Sequence, residues 1–411
     1  MTILVVFDPF VGLGRDTRRI SGGTMDQGTP RPTSVAVLAN SMVLGSVGLL
    51  IFGVQPAMLG AFVVEGRSPE AGVGAIVTAE LLSMAIGSVI GARILRTASP
   101  RMVAALAAIA FALVNAAMLQ RHGLPTLLGM RAAAGLAEGI LVSIPAVAIA
   151  QARRPERASA IFLVAQTLLQ LAVATSLPLI VVRGSPGDGV LATMAAGGAI
   201  AAMFAIGTPR VLRPAPTEES THGTLTPGAL PALIAAGGYL GAIIVVWSYF
   251  GLWLHHLGTP ATVEPTAIGI SLGFQIIGAL AAARWSDRLS NRAVLLAAAL
   301  GEAGLVIALL LDSGRISTVY LFSAAFGFIW QFAAPSFTGL LIEVDPRRRA
   351  VLFLPAAQLI GAAALPLVAG SAVAWSGVIG AMMLAATILS GTAVLLAITH
   401  RRRNTSGVTL A

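Results

Sequence analysis

Four charged side chains interrupt long apolar stretches of this chain: Glu80, Arg131, Glu138 and Glu302. A charge at bilayer depth costs about 2.5–3.5 kcal/mol on insertion scales, which makes each a functional candidate. Arg131 and Glu138 are seven residues apart, about two helical turns and roughly 10.5 Å of rise, so a helix carries both on one face. Gly135 and Gly139 lie beside them and leave room for a neighbouring helix or for water. One reading has Arg131 hold an anionic group or a carboxylate while Glu138 takes up a proton. Removal from water favours a neutral carboxyl and a nearby arginine favours a charged one, so moving such a pair would couple protonation to a change of shape. The other reading is a static interhelical pair, or an Arg131 that snorkels to the surface. Glu80 either pairs with Arg131 or faces a cavity alone.

Neutral groups would set the identity of a ligand. The run F-G-F-I-W-Q-F carries Trp330 and Gln331, and an aromatic beside an amide suits a flat or amphipathic molecule, although aromatics also serve ordinary packing. Gln275, Gln166 and Gln358 extend the polar set. In V-V-W-S-Y-F-G-L-W-L-H-H, Trp247 and Tyr249 lie deep enough to line or gate a cavity, and Trp253 fits an interfacial aromatic belt. His255 and His256 read as a surface feature, not a proton relay. Catalytic signatures are lacking: there is no Walker loop, no H-E-x-x-H and no G-x-S-x-G at a strand-to-helix turn. With no cysteine and only five histidines, neither a thiolate site nor a zinc site is expected. The expectation is therefore a protein that is not an enzyme and needs no cofactor or metal.

The elements that position these residues are membrane helices. Only 10% of the 411 residues are charged and 56% are hydrophobic, with a mean hydropathy of +0.88. A soluble domain carries about 25% charge, so the solvent for most of these side chains is lipid. A crossing takes about 20 apolar residues. Twelve spans can be marked: 34–63, 71–92, 102–120, 124–150, 158–182, 189–209, 229–254, 264–283, 293–311, 316–341, 350–372 and 375–398. Pro56, Pro145, Pro178, Pro335 and Pro366 inside them mark expected kinks.

All 26 basic residues are arginine, and 21 fall in the termini and the even-numbered loops. Arg67, Arg121, Arg183 and Arg315 are the exceptions between spans. Arginine-rich loops stay in the cytoplasm, so both termini are placed there, in a multi-pass protein of the plasma (inner) membrane. The net charge of +9 is a topology signal and not a nucleic-acid footprint, because the arginines sit in short separate loops. The expected plan is a tail (1–33), a six-helix bundle (34–209), a polar cytoplasmic linker (210–228), a second six-helix bundle (229–398) and a tail (399–411). Residues 1–24 read either as a disordered tail or as an over-extended start, with Met25 a more ordinary beginning.

The two bundles look like repeats. R-I-L-R-T-A-S-P-R at 93–101 and R-W-S-D-R-L-S-N-R at 284–292 stand 191 residues apart, and Arg157-Ala158…Gln166 matches Arg349-Ala350…Gln358 at an offset of 192. Six spans per repeat give both bundles one orientation. Here the chain resembles the major facilitator superfamily, over roughly residues 30–400. The loop after span 8 is similar to that family's G-x-x-x-D-R-x-G-R-R: Asp287, Arg288 and Arg292 match, while Ala283, Ser290 and Asn291 depart. The loop after span 2 keeps Gly91, Arg96 and Arg101 but has Leu95 in place of the aspartate. Span 4, M-R-A-A-A-G-L-A-E-G, resembles the family's R-x-x-x-G pattern. Span 5 lacks the G-x-x-x-G-P-x-x-G-like run of the drug–proton antiporters.

The resemblance implies an all-α carrier that works by alternating access, with these loops as a conformational latch and span 4 lining a central cavity. It also places span 9 on the outside, so Glu302 suits a structural role. The function so implied is secondary active transport of a small organic molecule by a monomer, coupled to protons. Proton-driven efflux of hydrophobic compounds, or a non-transporting sensor on a carrier fold, are the alternatives. No nucleic acid is expected as a partner.

Overall fold

The computed structural model describes residues 34–406 except 153–154, 181, 183, 209–224, 227, 286–287, 313–314 and 347–348. The expected tail 1–33, most of the linker and residues 407–411 lie outside the described residues. Among the described residues there is no strand, only an isolated bridge between Val182 and Ser185.

The helices run α1 (Val35–Gly48), α2 (Ile51–Val64), α3 (Gly72–Ile94), α4 (Pro100–Ala117), α5 (Leu124–Ala150), α6 (Pro155–Ser176), α7 (Pro186–Ala205), α8 (Ala229–His256), α9 (Val263–Trp285), α10 (Asn291–Leu311), α11 (Ile316–Val344) and α12 (Leu354–Ser406). Their starts follow local chemistry. Ser34, Ser185 and Ser290 cap α1, α7 and α10 by accepting from backbone N–H groups three residues on. Proline opens α4, α5 and α7 in the first turn, where its missing N–H costs nothing.

Eleven described segments are long and apolar enough to cross a membrane. Two differ from the expected boundaries. Span 1 is broken at Leu49-Leu50 between α1 and α2, while α2 continues through Pro56. The last apolar segment, Leu354–Ile398, has 45 residues, which at 1.5 Å each is about twice a bilayer core. Two helices meet within it at Ser376 and Gly377, where Gly377 takes a φ of 66° that glycine tolerates best. Pro178 lies within a 3-10 turn, Leu177–Leu179, and Pro145, Pro335 and Pro366 lie inside helices. Leu113, Leu311, Leu321 and Ile360 point outward, as lipid-facing side chains do.

Close helix packing repeats along the chain. A Cβ on Gly87 of α3 would strike the Leu136 carbonyl of α5, and one on Gly278 of α9 would strike the Phe328 carbonyl of α11. In the reverse sense, Gly135 of α5 abuts the Glu80 carbonyl and Gly327 of α11 abuts that of Ser271. Every position shifts by 191 or 192 residues, so the sequence repeat is also a packing repeat. Small residues allow this approach where lipid removes the hydrophobic drive to pack.

Candidate functional site

The α3–α5 pair holds the charged constellation. Both helices are apolar and glycine-rich on the shared face, which draws their backbones together and leaves their few polar side chains nowhere to go but between helices. Glu80, Arg131 and Glu138 are all fully buried. Arg131 forms an ion pair with Glu80, and its second terminal nitrogen donates to Asn115 Oδ1 of α4 at 3.3 Å. Of the two sequence readings for Glu80, the structure thus gives pairing. Glu138 lies two turns along the same face of α5 and is electrostatically linked to Arg131. Neither of its carboxyl oxygens makes a hydrogen bond with a described residue. A buried carboxylate is otherwise paired or hydrogen-bonded, so Glu138 is the unsatisfied member of a buried set. Asn115 escaped sequence reading. Its signal was there, the one amide in α4, whose other residues after Arg101 are apolar.

The matching place in α9–α11 carries no charge. Ser271 stands where Glu80 does, Ser323 where Arg131 does, and Trp330 where Glu138 does. Gln331 Nε2 donates to Gln275 Oε1 at 3.5 Å, across the two helices. Gln275 Nε2 and the Ser271 hydroxyl are buried without a described partner. Trp330 packs at an angle of 63° to Trp247 and 61° to Phe326, while Trp247 and Phe326 stack at 6°. The expected cavity residues Trp330, Gln331, Gln275 and Trp247 therefore form one aromatic and amide cluster. Tyr249 stands apart from it, its hydroxyl accepting from Gly74 N of α3 at 3.1 Å. Gln166 is buried with both amide atoms unpartnered among the described residues, as is Gln55 of α2, a residue the sequence reading passed over.

Glu302 is buried in α10, with neither carboxyl oxygen hydrogen-bonded to a described residue. It belongs to neither cluster described above.

Among the described residues, several cross-contacts between the helices before and after the linker lie in the half of the bundle toward loops 65–71 and 257–262. Trp247 Nε1 donates to the Phe52 carbonyl at 2.7 Å, Thr78 Oγ1 donates to that of Ala363, and His256 meets Glu70 at 2.6 Å. Cβ atoms on Gly74 and Gly251 would strike the carbonyls of Pro366 and Pro56. His255 pairs with Glu264 at 3.4 Å. Trp253 is buried at 3% exposure, which corrects its assignment to an aromatic belt; Trp375, 91% exposed, fits that role better.

Two of the exceptional arginines lie at this end and have a reason. Arg67 is buried, donating to Glu65 at 2.8 Å and to the Met118 carbonyl at 3.1 Å, and paired with Asp188. Arg121 donates to the Glu65 carbonyl at 2.9 Å. Both hold loops together, and Arg67 is matched by carboxylates.

At the other end, contacts tie helices within each group. Arg101 Nε donates to the Thr208 carbonyl at 3.2 Å, and Asn291 Nδ2 donates to Glu343 at 2.7 Å. Of the expected latch, Asp287 lies outside the described residues. Arg288 and Arg96 are exposed, and Arg292 Nε donates to the Leu396 carbonyl of α12 at 2.9 Å. Leu95, in the place of the motif's aspartate, is buried. Gly91 lets α3 approach Ser143 and Ile140 of α5.

The sequence profile of the Major Facilitator Superfamily matches residues 33–353. No curated protein matches the sequence. Among solved structures, the chain is similar to the nucleoside transporter NupG, with 15% identity, 89% of this chain and 98% of that chain covered, and a TM-score of 0.70. It is also similar to the xylose transporter XylE from E. coli in its inward open conformation (15% identity, 88% and 94% covered, TM-score 0.65). A third likeness is to a bacterial homologue of the human lysosomal transporter Spinster, inward-facing and unoccupied (13% identity, 90% and 96% covered, TM-score 0.62).

Proposed function

Because this chain belongs to the major facilitator superfamily, we propose that it is a proton-coupled secondary transporter of a small organic molecule, working by alternating access. The observation that carries the coupling is the buried set Glu80, Arg131 and Glu138, in which Arg131 is committed to Glu80 and Glu138 has no described hydrogen-bond partner. Glu138 takes up and releases the proton. Arg131 changes partners between Glu80 and Glu138 as the helices move, so that protonation state and conformation shift together.

Twelve crossings in two six-helix bundles, 34–209 and 229–398, follow if the kink at Ser376 and Gly377 is counted as a turn between spans. The arginine bias supports cytoplasmic termini in the plasma membrane. With that orientation, the gathered cross-contacts at loops 65–71 and 257–262 belong to an inward-facing state. Loops 93–101 and 284–292, with Gly91, Arg96, Asp287, Arg288 and Arg292, govern exchange between states. The wall of Trp330, Gln331 and Gln275 binds the solute, and its neutral amides and hydroxyl suit an uncharged, hydrogen-bonding molecule. Nucleosides and xylose, named for the similar solved structures, are of this kind and are the first solutes to try.

The test is transport in proteoliposomes under an imposed pH gradient. Glu138→Gln should abolish gradient-driven accumulation while solute exchange persists. Accumulation that still follows the gradient would move the coupling role to Glu80. Reporter fusions after Arg213 and after Arg403 should both read cytoplasmic, and a periplasmic signal at either would overturn the topology.

A further inference from the structure

We infer that Pro56 is a positioning residue for the closed end of the molecule: by withholding a helix donor it frees the Phe52 carbonyl, and the Trp247 indole takes that carbonyl as a releasable bolt between α2 and α8. In a regular helix the carbonyl of residue 52 accepts from the N–H of residue 56. Residue 56 is proline and has no N–H. In a buried, apolar setting the freed carbonyl needs another donor. Trp247 Nε1 supplies one at 2.7 Å, from a side chain only 2% exposed. The two helices come close enough because Gly251 of α8 has no Cβ to strike the Pro56 carbonyl.

The neighbouring cross-contact follows the same logic. Gly74 lies in the first turn of α3, where backbone N–H groups have no helical acceptor, and it donates to Tyr249. Both bonds use a backbone group that its own helix leaves spare. Separating α2 and α3 from α8 therefore breaks none of these helices, and water entering the gap can satisfy the same groups. This is what a joint that opens and closes requires, and it gives Trp247 a role distinct from contact with solute.

The inference needs the chain to exchange conformations but not any particular solute or coupling ion. The natural sequence has no cysteine, so labels can be placed without background. Spin labels at Val64→Cys and Ala261→Cys, both exposed at the closed end on opposite sides of the joint, report its opening as a distance distribution in lipid nanodiscs. Trp247→Phe keeps a ring and loses the donor, and Pro56→Ala restores the competing helix donor. Each should raise the ratio of long to short distances roughly three- to tenfold, as expected for the net loss of one hydrogen bond. The double variant should open less than the sum of the two single effects and no more than Trp247→Phe alone, because its Phe52 carbonyl again has a helix donor. Pro56→Gly also restores the N–H and should behave as Pro56→Ala does. Fully additive effects, proline variants that leave the distribution at wild type, or one unchanged distance in every variant would each overturn the inference. None of these outcomes would bear on Glu138, which is tested by accumulation.

Discussion

The α3–α5 and α9–α11 pairs are built on one backbone plan and carry opposite chemistry. In both, a glycine of each helix abuts a carbonyl of the other, at positions shifted by 191 or 192 residues. On that common frame the first pair holds Glu80, Arg131 and Glu138, and the second holds Ser271, Ser323 and Trp330. The shared packing frame fixes where side chains can stand, and the residues on it decide what they do. Close packing tolerates little change in the glycines, whereas a position that faces a polar gap can pass from carboxylate to hydroxyl if its partner changes with it. Losing only one of Glu80 and Arg131 would strand a buried charge, and both are absent together from the second pair.

The largest effect is expected from Arg131→Ala. It leaves Glu80 buried without its counter-charge, which costs about 3–5 kcal/mol and should appear as a large fall in melting temperature in detergent. The matching substitution Ser323→Ala should barely move it, and equal losses would break the comparison. Next are Gly135→Ala and Gly327→Ala. Each added methyl meets a backbone carbonyl that cannot step aside, so both should cost about 1–3 kcal/mol, and by similar amounts. A loss at only one would show that the packing repeat is not an energetic one. Trp330→Phe should weaken solute binding about two- to tenfold, from the roughly 0.5–1.5 kcal/mol of an aromatic contact, and leave the dependence on the pH gradient intact. A variant that uncouples transport from the gradient would merge the two roles assigned here to separate pairs. The smallest effect belongs to Ser323→Ala itself. Its hydroxyl donates within its own helix to the Val319 carbonyl at 2.9 Å, so the change should stay within about 0.5 kcal/mol by the same melting assay.

Much of this was legible in the sequence, for identifiable reasons. Hydropathy is a sum over neighbouring residues, so it located the membrane helices without knowledge of their packing. Arg131 and Glu138 fall on one face because helix geometry is periodic. The break at Leu49-Leu50 leaves no mark in the sequence, because both sides of it are equally apolar and the nearest proline, Pro56, lies inside α2. Trp253 was placed by its distance from the end of a span, which says nothing about the helix lying across from it.

That the chain lives in lipid, how its charges are sorted between loops, that it is internally repeated and which few charges lie within spans can all be read from the amino-acid order alone. Each of these depends on composition or on spacing along one helix. The assembled bundle is what turns Arg131 to Glu80 and Asn115, leaves Glu138 without a hydrogen-bond partner among the described residues, and brings Trp247 to the carbonyl freed by Pro56. Those pairings join residues from 16 to 195 positions apart. A local pattern cannot specify them, because which faces of two helices meet is set by the packing of all the others.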